Sequence, residues 1–266
     1  MTIRAVVFDW AGTMVDFGCQ APVQALVDAF AARGVTLSAQ DARRDMGRAK
    51  RDHVRALLAW PPVAAAWTQA TGAAPTDRDG DAIYDDLVPR MAEAAGRFCD
   101  LIPGAARTVA RLRARGVRIG SGTGYTREMM AAILPRAAEQ GYAPDVVVCA
   151  GETASGRPSP LMLWKALVEL DVWPAGACVK VDDAEVGIEE GRAAGCWSVG
   201  VAASGNGVGL SLASYQGLTE ADRRARVDRA GASLTAAGAH LVIDTVADLP
   251  SAIETIEARI VAGERP

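Results

Sequence analysis

The sequence predicts a doubly wound α/β fold, a parallel sheet covered by helices on both faces, with a helical insertion after the first strand. Three observations carry that prediction. Short β-branched apolar runs recur along the 266 residues and alternate with Ala-, Leu- and Arg-rich amphipathic stretches, as fully covered parallel strands and their crossover helices do. The alternation breaks once, from about Phe17 to Asp100, where only helical patterns occur. Acidic and hydroxyl residues cluster just past the ends of the runs, where open α/β sheets place their sites.

The first strand is "IRAVVFDW" (3–10), whose apolar run stops at Asp9. Gly12 and Thr13 follow closely; they allow a tight turn and offer backbone N–H donors. Helical patterns then occupy 21–33, 39–59, 61–70 and 79–97, with breaks at Pro61-Pro62 and in "TGAAPTDRDG". An insertion at this point lies over the strand ends as a lid. A helix at 104–115 leads into the second strand, "GVRIGSG" (116–122). Next come a helix at 126–139, the strand "DVVVCA" (145–150), a helix at 159–170 and the strand "ACVKVDD" (177–183). A helix at 184–194 precedes the strands "CWSVGV" (196–201) and "HLVIDT" (240–245). Residues 203–219, rich in Gly and Ser, read as a surface loop before a helix at 220–236. Within that loop "SGNGVGLS" lacks the lysine and the strand–helix setting of a phosphate loop. The expected division is a Rossmann-like core domain of residues 1–16 and 101–266 and a helical cap domain of residues 17–100.

Half of the residues are apolar, enough for a substantial core, and the formal charge is −4. No basic field marks a nucleic-acid partner. No long uncharged apolar run or signal-peptide pattern marks a membrane. The five cysteines (19, 99, 149, 178, 196) are scattered, odd in number and without metal-binding spacing, as expected of reduced thiols in a cytoplasmic protein. The partner to expect is a small molecule.

The strand ends carry the chemistry. A carboxylate at Asp9 can attack phosphorus to give an aspartyl-phosphate; taken alone, it reads more readily as the cap of a turn or helix. "GSGTGYT" adds hydroxyls, Ser121 and Thr123, suited to phosphoryl oxygens. "SGRPSP" sets Arg157 at a helix start, a cation suited to a pentavalent transition state. "VKVDDAE" brings Asp182 and Asp183, which with Asp9 make an oxygen site for Mg²⁺. Acid, hydroxyl, cation, acid in that order resembles the haloacid dehalogenase-like superfamily of phosphotransferases. The resemblance implies Asp9 as nucleophile and Mg²⁺ ligand, the Ala11 carbonyl and Asp183 on the metal, Thr123 or Ser121 on the phosphoryl group, and Arg157 neutralising it. Two departures stand out. Gly187 occupies a position where the superfamily often has a second acid; the two alternatives are that Asp182 replaces it or that the metal is held with more water. Ala11 stands where its phosphatases carry the acid that protonates a leaving alkoxide.

The insertion answers the second departure. In "RRDMGRAKRDHVRALL" (43–58), Met46, Lys50 and His53 fall at i, i+4 and i+7, on one face of a helix that begins before Gly47. With five arginines in the stretch, the plain alternative is a solvated basic face. A lysine amine whose pKa is lowered by neighbouring cations can instead condense with an aldehyde and act as an electron sink. A carbon leaving group stabilised in that way needs no acid at residue 11. "DWAGTMVDFGC", "MGRAKRDHVRAL", "GSGTGYTREMM" and "GRPSP" together resemble the phosphonoacetaldehyde hydrolase (phosphonatase) family. That resemblance implies conversion of phosphonoacetaldehyde and water to acetaldehyde and phosphate, Mg²⁺ as cofactor, and a homodimer. It implies Lys50 as the Schiff-base residue, His53 as a proton shuttle and Met46 as a pocket-shaping neighbour. Gly47 would let the backbone approach the substrate, and Cys19 and Tyr125 would line the site, a packed hinge thiol being the alternative for Cys19. Trp60 and Trp67, a helical face apart, are candidates for the dimer contact. The competing functions are a phosphate-ester phosphatase or phosphomutase of the same superfamily and a catalytically silent binding protein.

Overall fold

A computed structural model describes residues 2–266. Six parallel strands form one sheet in the order β3-β2-β1-β4-β5-β6. They are β1 (Ala5–Phe8), β2 (Arg118–Thr123), β3 (Val146–Cys149), β4 (Cys178–Asp182), β5 (Trp197–Val201) and β6 (Leu241–Ile243). Each apolar run in the sequence forms a strand. Chain order reverses between β1 and β4, which opens a crevice at their carboxyl ends. The register sets Phe8 of β1 level with Ser121 of β2 and Val181 of β4, so three chain ends converge there. Side chains alternate across the sheet: Val6 and Phe8 join the main core, whereas Ala5 and Val7 join a second cluster on the opposite face. Each fully buried Val or Phe of this kind stabilises the fold by about 1.5–3 kcal/mol.

Helices α1 (Gln20–Ala31), α2 (Ala39–Ala42), α3 (Lys50–Ala59), α4 (Pro61–Thr71) and α5 (Asp77–Arg97) make up the insertion. Helix α5 starts at a reciprocal cap: the Thr76 side chain accepts from the Asp79 N–H, and the Asp79 carboxylate accepts from the Thr76 N–H. Its stripe of Ile83, Leu87 and Met91 is buried with Leu26 and Phe30 of α1 and with Val54 and Leu57 of α3. The two connections to the sheet run side by side, with Asp16 N–H donating to Asp100 O (3.2 Å) and Ile102 N–H to Met14 O (2.9 Å). Trp67 is 4% exposed within this core, and the Arg44 guanidinium covers Trp60 at 4.2 Å. Trp67 is therefore enclosed in the core and presents no dimer face, whereas Trp60 stays partly exposed.

The rest of the chain contributes α6 (Ala105–Ala114), α7 (Arg127–Met130), α8 (Ile133–Glu139), α9 (Leu161–Glu169), α10 (Glu185–Ala193), α11 (Leu212–Gln216), α12 (Glu220–Ala236) and α13 (Leu249–Val261). Helix α13, which packs on α6 and β6, has no counterpart in the sequence reading, and α11 interrupts the expected loop. The helix expected at 126–139 is two, because Pro135 has no N–H to continue a helix through Ala131. The helix expected at 39–59 is also two. Asp45 and Gly47 both have positive φ, 56° and 92°, which ends one helix and delays the next until Lys50. Among the described residues no helix is long and apolar enough to cross a membrane.

Candidate active site

Asp9 leaves β1 with its N–H bonded to Val181 O (2.9 Å), which fixes the carboxylate between the ends of β2 and β4. At Gly12 φ is +79°, and a Cβ there would stand 2.4 Å from Asp183 Oδ2, so this turn accepts only glycine. The donors expected for a ligand are engaged within the turn: Gly12 N–H bonds Val15 O (2.8 Å) and Thr13 N–H bonds Trp10 O (3.3 Å). What Thr13 offers is its hydroxyl, which donates to Asp183 Oδ1 (3.2 Å). Ser121 points away from the crevice, accepting from Trp10 Nε1 (2.9 Å), whereas Thr123 lines the cavity beside Asp9. Of the two hydroxyls, Thr123 is the one on the site.

Behind Asp9 lies a buried ionic layer. Arg157 Nη1 meets Asp9 Oδ1 (2.6 Å) and Asp182 Oδ2 (3.4 Å), its Nε meets Glu190 Oε2 (3.0 Å), and its Nη2 donates to Gly122 O (2.6 Å). Lys180 Nζ lies 2.9 Å from Asp182 and 3.2 Å from Glu190. Buried charges persist only when paired in this way. Sequence reasoning missed Lys180 and Glu190, although a lysine inside the apolar strand "CVKVD" was a visible signal, since lysine is almost never buried without a partner. Burial pushes the Asp182 carboxyl upward, but Lys180 and Arg157 overcome it and hold Asp182 below the usual range. Gly187 belongs to the same arrangement: a Cβ there would stand 1.9 Å from Asp182 Oδ2. Asp182 fills the space that a side chain at 187 would need.

Asp183 differs. It is buried, and no Lys or Arg pairs with it among the described residues. It accepts from Thr13, from Cys19 Sγ (3.3 Å) and from the Asn206 N–H (2.7 Å). Burial, then the charges of Asp9 and Asp182, push its carboxyl well above the usual range. Asp9 is raised to about 6 by burial and Asp182, against the opposing pull of Arg157. One carboxylate oxygen from each of Asp9, Asp182 and Asp183 falls within 4.8 Å of the others. An under-compensated, all-oxygen cluster of this kind fits a hard divalent cation.

The insertion supplies the facing wall. Its 43–50 segment seats closely on the sheet ends: a Cβ at Gly47 would stand 2.8 Å from Val186 Cγ2, and one at Gly124 would stand 2.4 Å from Arg48 O. Met46 precedes the helix rather than lying on its face, yet its Sδ is 3.6 Å from Lys50 Nζ. Lys50 is 3% exposed, with its Nζ 5.3 Å from the Tyr125 ring centroid. Burial lowers its amine to about 8, against the pull of Asp9 and Asp183. Burial outweighs the expected cation effect, which comes from Arg157, whereas the arginines of the insertion are occupied elsewhere. Arg48 pairs with Asp45, Arg51 and Arg55 with Asp81, and Arg44 stacks on Trp60. His53 is fully buried and lies off the cavity wall, and burial followed by the Lys50 charge keeps it neutral. Asp9, Ala11, Cys19, Lys50, Thr123 and Tyr125 line one cavity of about 20 Å³, with Met46 and Gly47 on the insertion side.

The haloacid dehalogenase-like hydrolase family matches residues 3–195. The chain is 50% identical over 264 residues to the phosphonoacetaldehyde hydrolase of Paraburkholderia xenovorans, covering 99% of each chain. It is 46% identical to that of Bordetella pertussis, covering 99% of this chain and 96% of the relative. A crystal structure of a phosphonoacetaldehyde hydrolase-like protein from Oleispira antarctica superimposes with a TM-score of 0.99 at 40% identity, over 100% of this chain and 96% of that one. A strand-end aspartate, a buried cation beside it and a helical insertion bearing a buried lysine are thus accompanied by end-to-end similarity, and the chain belongs to the phosphonoacetaldehyde hydrolase family of the haloacid dehalogenase-like hydrolases.

Proposed function

We propose that this protein hydrolyses the C–P bond of phosphonoacetaldehyde to acetaldehyde and orthophosphate, with residues 17–100 acting as a cap domain over a core of 1–16 and 101–266. The observation that carries the proposal is Lys50. A buried amine lowered to about 8 shares one small cavity with Asp9, and Ala11 lines that cavity where an alkoxide-leaving reaction would need an acid. Lys50 condenses with the aldehyde, releasing water and forming an iminium. Arg157 engages Asp9 Oδ1, leaving Oδ2 to attack phosphorus in line. The C–P electron pair moves into the iminium, giving an enamine on Lys50 and an acyl phosphate on Asp9. Protonation of the enamine carbon and hydrolysis of the resulting imine release acetaldehyde and return the free amine. A water then attacks the acyl phosphate and frees orthophosphate. Thr123 orients the phosphonyl group, Cys19, Tyr125 and Met46 shape the pocket, and Arg157 and His53, which do not line the cavity, act through Asp9 and Lys50 respectively.

Asp9, Asp183 and the Ala11 carbonyl would hold Mg²⁺, with Asp182 left to Lys180 and Arg157. When bound, the ion supplies charge neutralisation for the phosphonyl oxygens. Adding Mg²⁺ without substrate should raise the Tm of the wild type and leave Asp183→Asn unmoved. The five free, buried cysteines suit a reducing cytoplasm. A homodimer would be formed through exposed Trp164, Val168 and Trp173 on and beside α9, and Val168→Glu would then yield monomers by light scattering.

The deciding assay is acetaldehyde release from phosphonoacetaldehyde with Mg²⁺, followed through alcohol dehydrogenase and NADH. Borohydride should inactivate the enzyme only in the presence of substrate, with the adduct on Lys50. Lys50→Arg should lower turnover on the order of 10³-fold or more, as removal of a covalent catalyst does. A phosphate-ester phosphatase would tolerate that change, and a silent binding protein would show no turnover at all.

A further inference from the structure

The loop after β5, which reads in the sequence as plain surface chain, connects the insertion to the acid cluster. Arg43 follows α2, and Asn206 lies in that loop. Each bonds the other: Arg43 Nη1 donates to Asn206 Oδ1 (3.2 Å), and Asn206 Nδ2 donates to Arg43 O (3.1 Å). The same guanidinium donates to Gly18 O and Gly209 O, both at 2.8 Å, holding the hinge and the loop with one planar fork. The Asn206 backbone N–H donates to Asp183 Oδ2 (2.7 Å). Ser204 adds a hydroxyl bond to Gly12 O (2.7 Å) and accepts from Gly18 N–H (2.7 Å). Residues 204–209 therefore touch the hinge, the insertion and two parts of the candidate site at once.

We propose that Arg43 and Asn206 form a latch: seating the insertion fixes the loop, and the loop fixes the orientation of Asp183. Closing Lys50 over Asp9 and aligning Asp183 become one event. Neither residue lines the cavity, so both are positioning residues. The kinetic part of the proposal rests on C–P hydrolysis being the reaction; the structural part does not.

The test uses Asn206→Ala, Arg43→Lys and the double variant in the full-length protein. Hydrogen exchange without substrate is read in peptides covering 43–50 and 203–210. Each single variant should speed exchange in both segments about tenfold, including the segment that does not carry the substitution, while β4 and β5 keep wild-type protection. With phosphonoacetaldehyde and Mg²⁺, kcat/KM should fall about tenfold in each, and the double variant should be no worse than the worse single. Asn206→Ser serves if the alanine variant does not fold. Exchange that changes only in the substituted segment, or kinetic losses that multiply in the double variant, would overturn the latch. Wild-type protein that turns over no phosphonoacetaldehyde would count against the proposed reaction and leave the exchange result standing.

Discussion

Lys50 lies in a conflict between folding and chemistry, and the conflict is measurable. Its folded pKa of about 8 lies below the ordinary 10.5, so the fold disfavours the charged amine. That cost is fully present below pH 8 and disappears as the pH rises from 8 towards 10.5. A shift of that size corresponds to about 3 kcal/mol. Lys50→Met should therefore be inactive yet more stable at pH 7, with a Tm several degrees higher, and the gain should vanish near pH 10.5. A methionine variant that melts below wild type at pH 7 would mean the lysine is a structural cation. The same titration predicts that kcat/KM rises with pH through about 8, as the free amine appears. Gly187 carries a steric counterpart. With only 1.9 Å between a Cβ there and Asp182 Oδ2, Gly187→Ala must displace Asp182 from Lys180. Thermal melts should register a loss of about 1–3 kcal/mol, typical of overpacking, and an unchanged Tm would mean that α10 can shift outward.

Helix α5 forms much of the floor of the insertion, and its start is set by the reciprocal cap between Thr76 and Asp79. Thr76→Ala should cost about 1 kcal/mol, a Tm loss of about 2–4 °C for a chain of this size, with kcat unchanged because the cap is remote from Asp9. A fall in kcat without a fall in Tm would contradict a purely local role. The cap lies inside "TGAAPTDRDG", legible as a break in the helices although the sequence reading did not identify the cap. The strands were legible because continuous apolar runs have few other uses. The 43–49 segment was not: Met46 and Lys50 are neighbours, as their spacing suggested, but positive φ at Asp45 and Gly47 puts Met46 before the helix. Periodicity registers side-chain spacing and is blind to a backbone reversal between two residues. The ionic layer was only half legible for another reason. Asp182 and Arg157 sit in recognisable motifs, whereas pairing Lys180 with Glu190, or Arg43 with Asn206, requires knowing which distant segments meet.

At the scale of the whole molecule, the closed insertion leaves a cavity of about 20 Å³ around Asp9 and Lys50. That is room for little more than a water and far less than a two-carbon phosphonate occupies. With residues 17–100 acting as the proposed cap, substrate would reach both residues by their swinging away on the paired connections at 14–16 and 100–102. A crosslink tests this directly. A Cβ on Gly156 would stand 3.6 Å from Ala49 Cβ, within the usual separation of about 3.5–4.5 Å across a disulfide. Ala49 is on the insertion and Gly156 on the sheet side, each one residue before a key cation. The native cysteines are all free and buried, which limits competing pairings. Oxidised Ala49→Cys/Gly156→Cys should retain the fold and lose nearly all turnover, and dithiothreitol should restore it, because reduction releases the insertion without altering Asp9 or Lys50. Borohydride trapping of the oxidised form should likewise fail, since the aldehyde never meets the amine. An oxidised variant that turns over at the wild-type rate would show that substrate reaches the site without movement of the insertion.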